Sequence, residues 1–192
     1  MDGDLKRFVL MRASVVAAVF ASTIVAGSFD DAQGKTRTTI GCMQDKTLIG
    51  MFPTAGKAGF ARRSHIEFQG ARKPIYPGRC SAFWTTYSVR PGESVDVSVT
   101  LYKSAKNLSA PLAEATIGPV HRRSNGARVR TGKGSGSVNG APSKNTYVES
   151  AFRKIFITGI SISTAGTPVP ISAQLRLHRL IENAYTRTQP TH

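Results

Sequence analysis

The chain has 192 residues, carries 26 Lys+Arg against 11 Asp+Glu for a formal charge of +15, and contains two cysteines and one tryptophan. That length, less a leader, fits one domain of ordinary size, and the charge draws polyanions and anionic surfaces at long range. Two cysteines without C-x-x-C spacing and four scattered histidines do not compose a ligand set, so neither a metal nor a cofactor is expected.

At the N-terminus, Lys6, Arg7 and Arg12 precede an uncharged run over 13–27, ASVVAAVFASTIVAG. The run is short of the roughly 20 apolar residues a spanning helix needs, and Val25-Ala26-Gly27 places small side chains where a signal peptidase requires them. Residues 1–27 therefore read as an export signal cut after Gly27, with a periplasmic or extracellular destination. No cysteine stands at the cut and no arginine pair precedes the run, so the general secretory route is favoured over lipoprotein or twin-arginine export. The alternative is a membrane anchor over 8–29, with Arg12 inside it. Cleavage leaves 165 residues and a charge of +14. The partners such a charge suits outside the cytoplasm are an anionic glycan, a lipid head group or a protein, and cytosolic nucleotides are out of reach.

Residues 28–35 are polar and read as a disordered start. Beyond them come short stretches of period two broken by Gly, Pro and Asn, the pattern of a single antiparallel β-sandwich, jelly-roll or immunoglobulin-like, over 36–182. Strands are expected over 36–43, 47–52 and 64–69. The clearest pattern is SVDVSVTLY at 94–102, with Val95, Val97, Val99 and Leu101 on one face; Pro91 and Gly92 suit a tight turn joining it to 82–89. The 87–102 segment resembles the turn-and-strand of bacterial secreted jelly-roll modules over a small part of the chain, a likeness from which no functional residue is carried over. Further strands are expected over 112–117, over 147–163 in one or two pieces, and over 169–180, followed by a flexible tail at 183–192. No window shows a sustained helical stripe.

Candidate functional residues fall in four places. Cys42 and Cys80, in an oxidising compartment, are expected to form a disulfide. The 121–144 stretch, HRRSNGARVRTGKGSGSVNGAPSK, reads as a long basic loop and contact surface through Arg122, Arg123, Arg128, Arg130 and Lys133. Its glycines miss the phosphate-loop and dinucleotide spacings, and Ser135 and Ser137 miss the register of a nucleophile elbow. Trp84 falls on the polar side of its strand, near Arg79, where an indole would stack on a sugar ring. His65 and Glu67 form the one acid–base pair within reach of each other, and His178 has its protonation discouraged by Arg176 and Arg179. Asn107-Leu108-Ser109 is a glycosylation sequon. The expectation is a noncatalytic exported protein that binds an anionic envelope component through the basic loop, Arg79 and Trp84. The alternatives are an assembly subunit pairing through edge strands and a hydrolase using His65 and Glu67.

Overall fold

A computed structural model describes residues 45–69, 78–109, 118–164 and 166–188. Two short helices, α1 (Asp45–Ile49) and α2 (Ala55–Ala58), come first, followed by the small strands β1 (Arg62–Arg63) and β2 (Glu67–Gln69). The long strands β3 (Arg79–Arg90) and β4 (Glu93–Tyr102) form a hairpin, and a 3-10 turn spans Ala105–Leu108. Then follow β5 (His121–Arg122), β6 (Arg128–Val138), β7 (Ala141–Phe152), β8 (Ile155–Ser163) and the helix α3 (Ile171–Thr188).

All eight strands belong to one sheet in the order β1-β3-β4-β8-β7-β6-β5, with β2 also on β3, and every pairing is antiparallel. Among the described residues there is no second sheet, so the expected sandwich is wrong: the fold is mixed α/β, an open sheet with helices packed on one face. The apolar face of β4 does what its alternation requires. Val95, Val97, Val99 and Leu101 are buried, and they join Phe83, Tyr87, Val148, Ile155 and Ile157 from neighbouring strands in one core. What covers that core is helical: Leu177, Ile181 and Tyr185 of α3, Leu48 of α1 and Ala58 of α2. The small helices are tied down by polar contacts as well. Arg63 donates to the carbonyls of Phe52 and Pro53, Tyr87 Oη donates to Pro53, and Arg176 donates to Ala58.

Three segments differ from expectation for identifiable reasons. The 47–52 stretch falls partly in α1 and partly in a turn rather than in a strand. The 169–180 stretch is α3, which also takes in most of the expected tail, up to Thr188. Its first residues, ISAQLRLH, satisfy period two and period 3.6 together. The buried helical stripe includes Gln174, His178 and Glu182, which hides the apolar signal a helix usually shows. The expected loop over 121–144 is β5, β6 and the start of β7, closed by Asn139 and Gly140, both at positive φ (50° and 80°), as a two-residue hairpin demands. Gly132, Gly134 and Gly136 are strand glycines of β6, whereas Gly126 and Gly140 sit in turns at positive φ. A Cβ on Gly134 would stand 3.0 Å from Tyr147 Oη, so the bare backbone of β6 makes room for the Tyr147 ring on the neighbouring strand.

The expected strands over 36–43 and 112–117, the export segment, the alternative anchor and Cys42 lie outside the described residues. No disulfide closes with both its cysteines among the described residues, and the pairing drawn from composition gains no geometry here; Cys80 itself is not a free thiol. Among the described residues no helix is long and apolar enough to cross a membrane.

Candidate binding face

Antiparallel register puts paired residues on the same side of a sheet, so the ladder assigns each side chain to a face. The face away from α3 carries three cross-strand rows. The central one runs Glu67, Trp84, Ser98, Thr158, Glu149, Arg130. Beside it runs Thr86, Asp96, Ile160, Tyr147, Gly132. On the other side run Gln69, Ala82, Thr100, Phe156, Ala151, Arg128, Arg122. A small apolar cluster of Tyr102, Leu108, Ala151 and Phe156 fills one corner, where the 3-10 turn folds over, and Arg79 stands opposite Tyr102. That turn holds the sequon, with Asn107 half-buried and accepting from Ser104 Oγ at 2.6 Å.

Five of the seven candidate ligand contacts, Arg79, Trp84, Arg122, Arg128 and Arg130, therefore share this face, although they come from β3, β5 and β6. The rest of the face is polar and partly open. Thr86 Oγ1 donates to Asp96 Oδ1 at 2.7 Å, Ser98 and Thr158 share a hydrogen bond of 2.7 Å, and Asn145 Nδ2 donates to Tyr147 Oη at 3.1 Å. Asp96 is exposed, Ile162 is 44 % exposed, and Trp84, Tyr147, Ser98 and Thr158 are half-buried. Burial pushes the Glu149 carboxyl above the usual carboxylate range, an effect the facing Arg130 charge partly offsets. Arg122 and Arg128 are opposed like charges, a pairing that costs stability in a sheet.

The two remaining candidates go elsewhere. Lys133 pairs with Thr146 and so projects on the α3 side, at the exposed end of β6. Arg123 belongs to a buried polar seam between α3 and the sheet. Its Nη1 donates to both oxygens of Glu182 at 2.9 and 3.1 Å, and Asn125 Nδ2 donates to the same carboxylate at 2.8 Å. One turn back along α3, His178 Nδ1 meets Ser150 Oγ at 2.8 Å; a further turn back, Gln174 donates to Thr146 Oγ1 and to the Val169 carbonyl. Gln174, His178 and Glu182 are all 0 % exposed. Burial first, and the Arg123 charge second, hold the His178 pKa down to about 3, so the imidazole is neutral. The neighbours named by sequence adjacency, Arg176 and Arg179, are not the cause.

The His178–Ser150 contact resembles half of a nucleophilic pair, but both groups are sealed from solvent and no substrate reaches them. His65 and Glu67 are exposed; His65 lies ahead of β2, and no hydrogen bond or ion pair joins the two among the described residues. No group of three or more His, Cys, Asp or Glu that could hold a metal occurs among the described residues. The sequence pattern missed Tyr147, Asp96, Ser98 and Thr158 as members of the face. The signal available was Asn139-Gly140, which sets the β6–β7 register and with it the row that Tyr147 joins.

No family model and no curated protein matches the chain. Among solved structures, the chain is similar to the extracellular domain of PknH from Mycobacterium tuberculosis, at 8 % identity and a TM-score of 0.45, over 75 % of this chain and 97 % of that one. No functional reading rests on a likeness of that degree.

Proposed function

We propose that the chain is an exported, noncatalytic module that binds an anionic envelope component, a glycan or a lipid head group, through the sheet face opposite α3. The observation that carries the reading is the register: it gathers Arg79, Trp84, Arg122, Arg128 and Arg130 on one side of the sheet. The leader-like composition of 1–27 and the basic balance support the compartment and the sign of the ligand.

Trp84 is the only tryptophan in the chain, so its fluorescence reports on this face without a label. Titration with an anionic polymer at low salt is expected to change Trp84 emission, and the affinity is expected to fall steeply as salt rises. Replacing Arg122, Arg128 and Arg130 together by Gln is expected to abolish binding with a cooperative melt retained, lowered only where Arg130 no longer faces Glu149. Arg123 stays out of that set because it holds Glu182. An affinity indifferent to both salt and the triple change overturns the reading.

A second reading, assembly through a sheet edge, has one observation behind it. Among the described residues β6 pairs on its outer side only with the two-residue β5, leaving the backbone of 132–138 with no strand outside it. A protein partner recovered by crosslinking, and still recovered from the triple Gln variant, favours that reading.

A further inference from the structure

We infer that the ligand of this face is an acidic polysaccharide, laid across the strands from Trp84 toward the arginines of β5 and β6, rather than a lipid surface. The inference rests on the binding reading above and narrows it to one chemical class.

Three features of the face separate the two ligands. The first is the sign of its charges. Arg122, Arg128 and Arg130 share the surface with Glu67, Asp96 and Glu149; Glu67 and Glu149 stand in the row of Arg130, and Asp96 in the row beside it. A bilayer presents a plane of negative charge to the whole face at once, so every carboxylate opposes docking. A sugar chain presents hydroxyl donors and carboxylate or sulfate acceptors in alternation. Its hydroxyls can be taken by Asp96, whose Oδ1 accepts from Thr86 while its second oxygen is left for a ligand. Its acid groups suit the guanidinium fork.

The second feature is the pair of rings. Trp84 on β3 and Tyr147 on β7 lie on the same face three strand spacings apart, about 14 Å at the usual inter-strand distance. Both are half-buried, and Tyr147 is held in place by Asn145 and by the glycine backbone beneath it. An aromatic face that is apolar but rimmed by hydroxyls meets a pyranose ring on its own apolar side; the hydroxyl pair Ser98–Thr158 lies on the two strands between the rings, and the Thr86–Asp96 pair lies beside Trp84. Open-chain lipid head groups, such as that of phosphatidylglycerol, have no ring face to stack.

The third feature is the opposed pair Arg122 and Arg128. Two guanidiniums directly across a ladder repel each other in the free protein. An acid group bound between them removes that repulsion, and because Ala151 and Phe156 of their own row are buried under the corner where the 3-10 turn packs, the open approach to them runs along the central row, past Ser98 and Thr158.

The test compares polygalacturonate and chondroitin sulfate with neutral dextran and with phosphatidylglycerol vesicles, on the wild-type chain and on Trp84→Ala, Tyr147→Phe and Arg122→Gln/Arg128→Gln. At least one acidic glycan is expected to shift Trp84 emission in the wild type, dextran to bind at least about tenfold more weakly, and Trp84→Ala to lose about tenfold in affinity by a label-free binding assay with its melt unchanged. Because the emission shift is read on the unaltered chain, it stands even if a variant misfolds. Vesicle binding that depends on salt and arginine, with no glycan binding, overturns this inference and leaves the anionic reading in place. Binding to no glycan and no vesicle at low salt overturns both.

Discussion

Arg123 shows how one side chain changes meaning when its neighbours are known. In a run of basic residues it looks like one more contact for an anion; in the fold it is the counter-ion of Glu182, a carboxylate with no access to water. An isolated carboxylate at that depth is not tolerated, and Arg123 together with Asn125 supplies three donated hydrogen bonds to it. Removing one partner strands the other, so Arg123→Ala is expected to destabilise the fold by about 3 to 5 kcal/mol in urea unfolding. The double change Arg123→Met/Glu182→Leu should recover most of that loss, because it leaves no charge behind. If Arg123→Ala costs no more than an exposed arginine would, the seam is not what holds α3 there.

Among the elements, α3 and the β6–β7 hairpin carry the physics that composition concealed. The face that α3 turns to the sheet mixes Leu177, Ile181 and Tyr185 with Gln174, His178 and Glu182, and the polar three have partners on β7 or just after β5. The partnered His178 makes the packing of α3 sensitive to acid. Its folded-state pKa of about 3 lies below the unfolded value of 6.5, so the unfolded chain takes up the proton first. Stability is full above pH 6.5 and drains as the pH falls through that value toward 3. At pH 5 the loss relative to pH 7 is about 2 kcal/mol from this group alone. Glu149 works in the opposite sense, its raised pKa favouring the folded state as the pH falls. Comparing the urea-unfolding free energy of the wild type at pH 7 and pH 5 with that of Ser150→Ala/His178→Leu isolates the histidine: the variant should lose the acid-induced decline. An equal decline in both would show that the histidine plays no part. The same two elements mark what was legible in the sequence. The β3–β4 hairpin was, because valines on a clean period of two need no partner to be recognised. Strand β6 was not, because its face residues are Gly132, Gly134 and Gly136, whose role is visible only once β7 is beside them, with Tyr147 over Gly134 and Ser143 and Asn145 by Gly136. Helix α3 was not, because three of its buried positions are polar. On the binding face, Arg79, Trp84, Arg122, Arg128 and Arg130 were all named from sequence, but their convergence depends on the strand order β3-β4-β8-β7-β6-β5, which no local pattern encodes.

For the molecule as a whole, the decisive property is that one sheet has one apolar face, so the core exists only while helices cover it. In a sandwich the last element would be one strand among many, and losing it would expose an edge. Here α3 supplies Leu177, Ile181 and Tyr185 to the single large core, against Val95, Val97, Val99 and Ile157 of the central strands. A chain ending at Pro170 would leave those valines facing water across several adjacent strands, a contiguous apolar patch of the kind that drives association. It would also leave Arg123, Thr146 and Ser150 without the partners α3 provides. The truncated chain is expected to show no cooperative thermal transition, to bind a hydrophobic dye and to sediment as oligomers, although every strand of the sheet is still encoded. A monomeric truncation with a cooperative melt would mean that the sheet has another way to cover its apolar face. Because the proposed binding residues lie on the opposite side, loss of α3 reaches them only through the sheet. Anionic-polymer binding and the cooperative transition should therefore disappear together in the truncation, whereas the triple Gln variant loses the first and keeps the second.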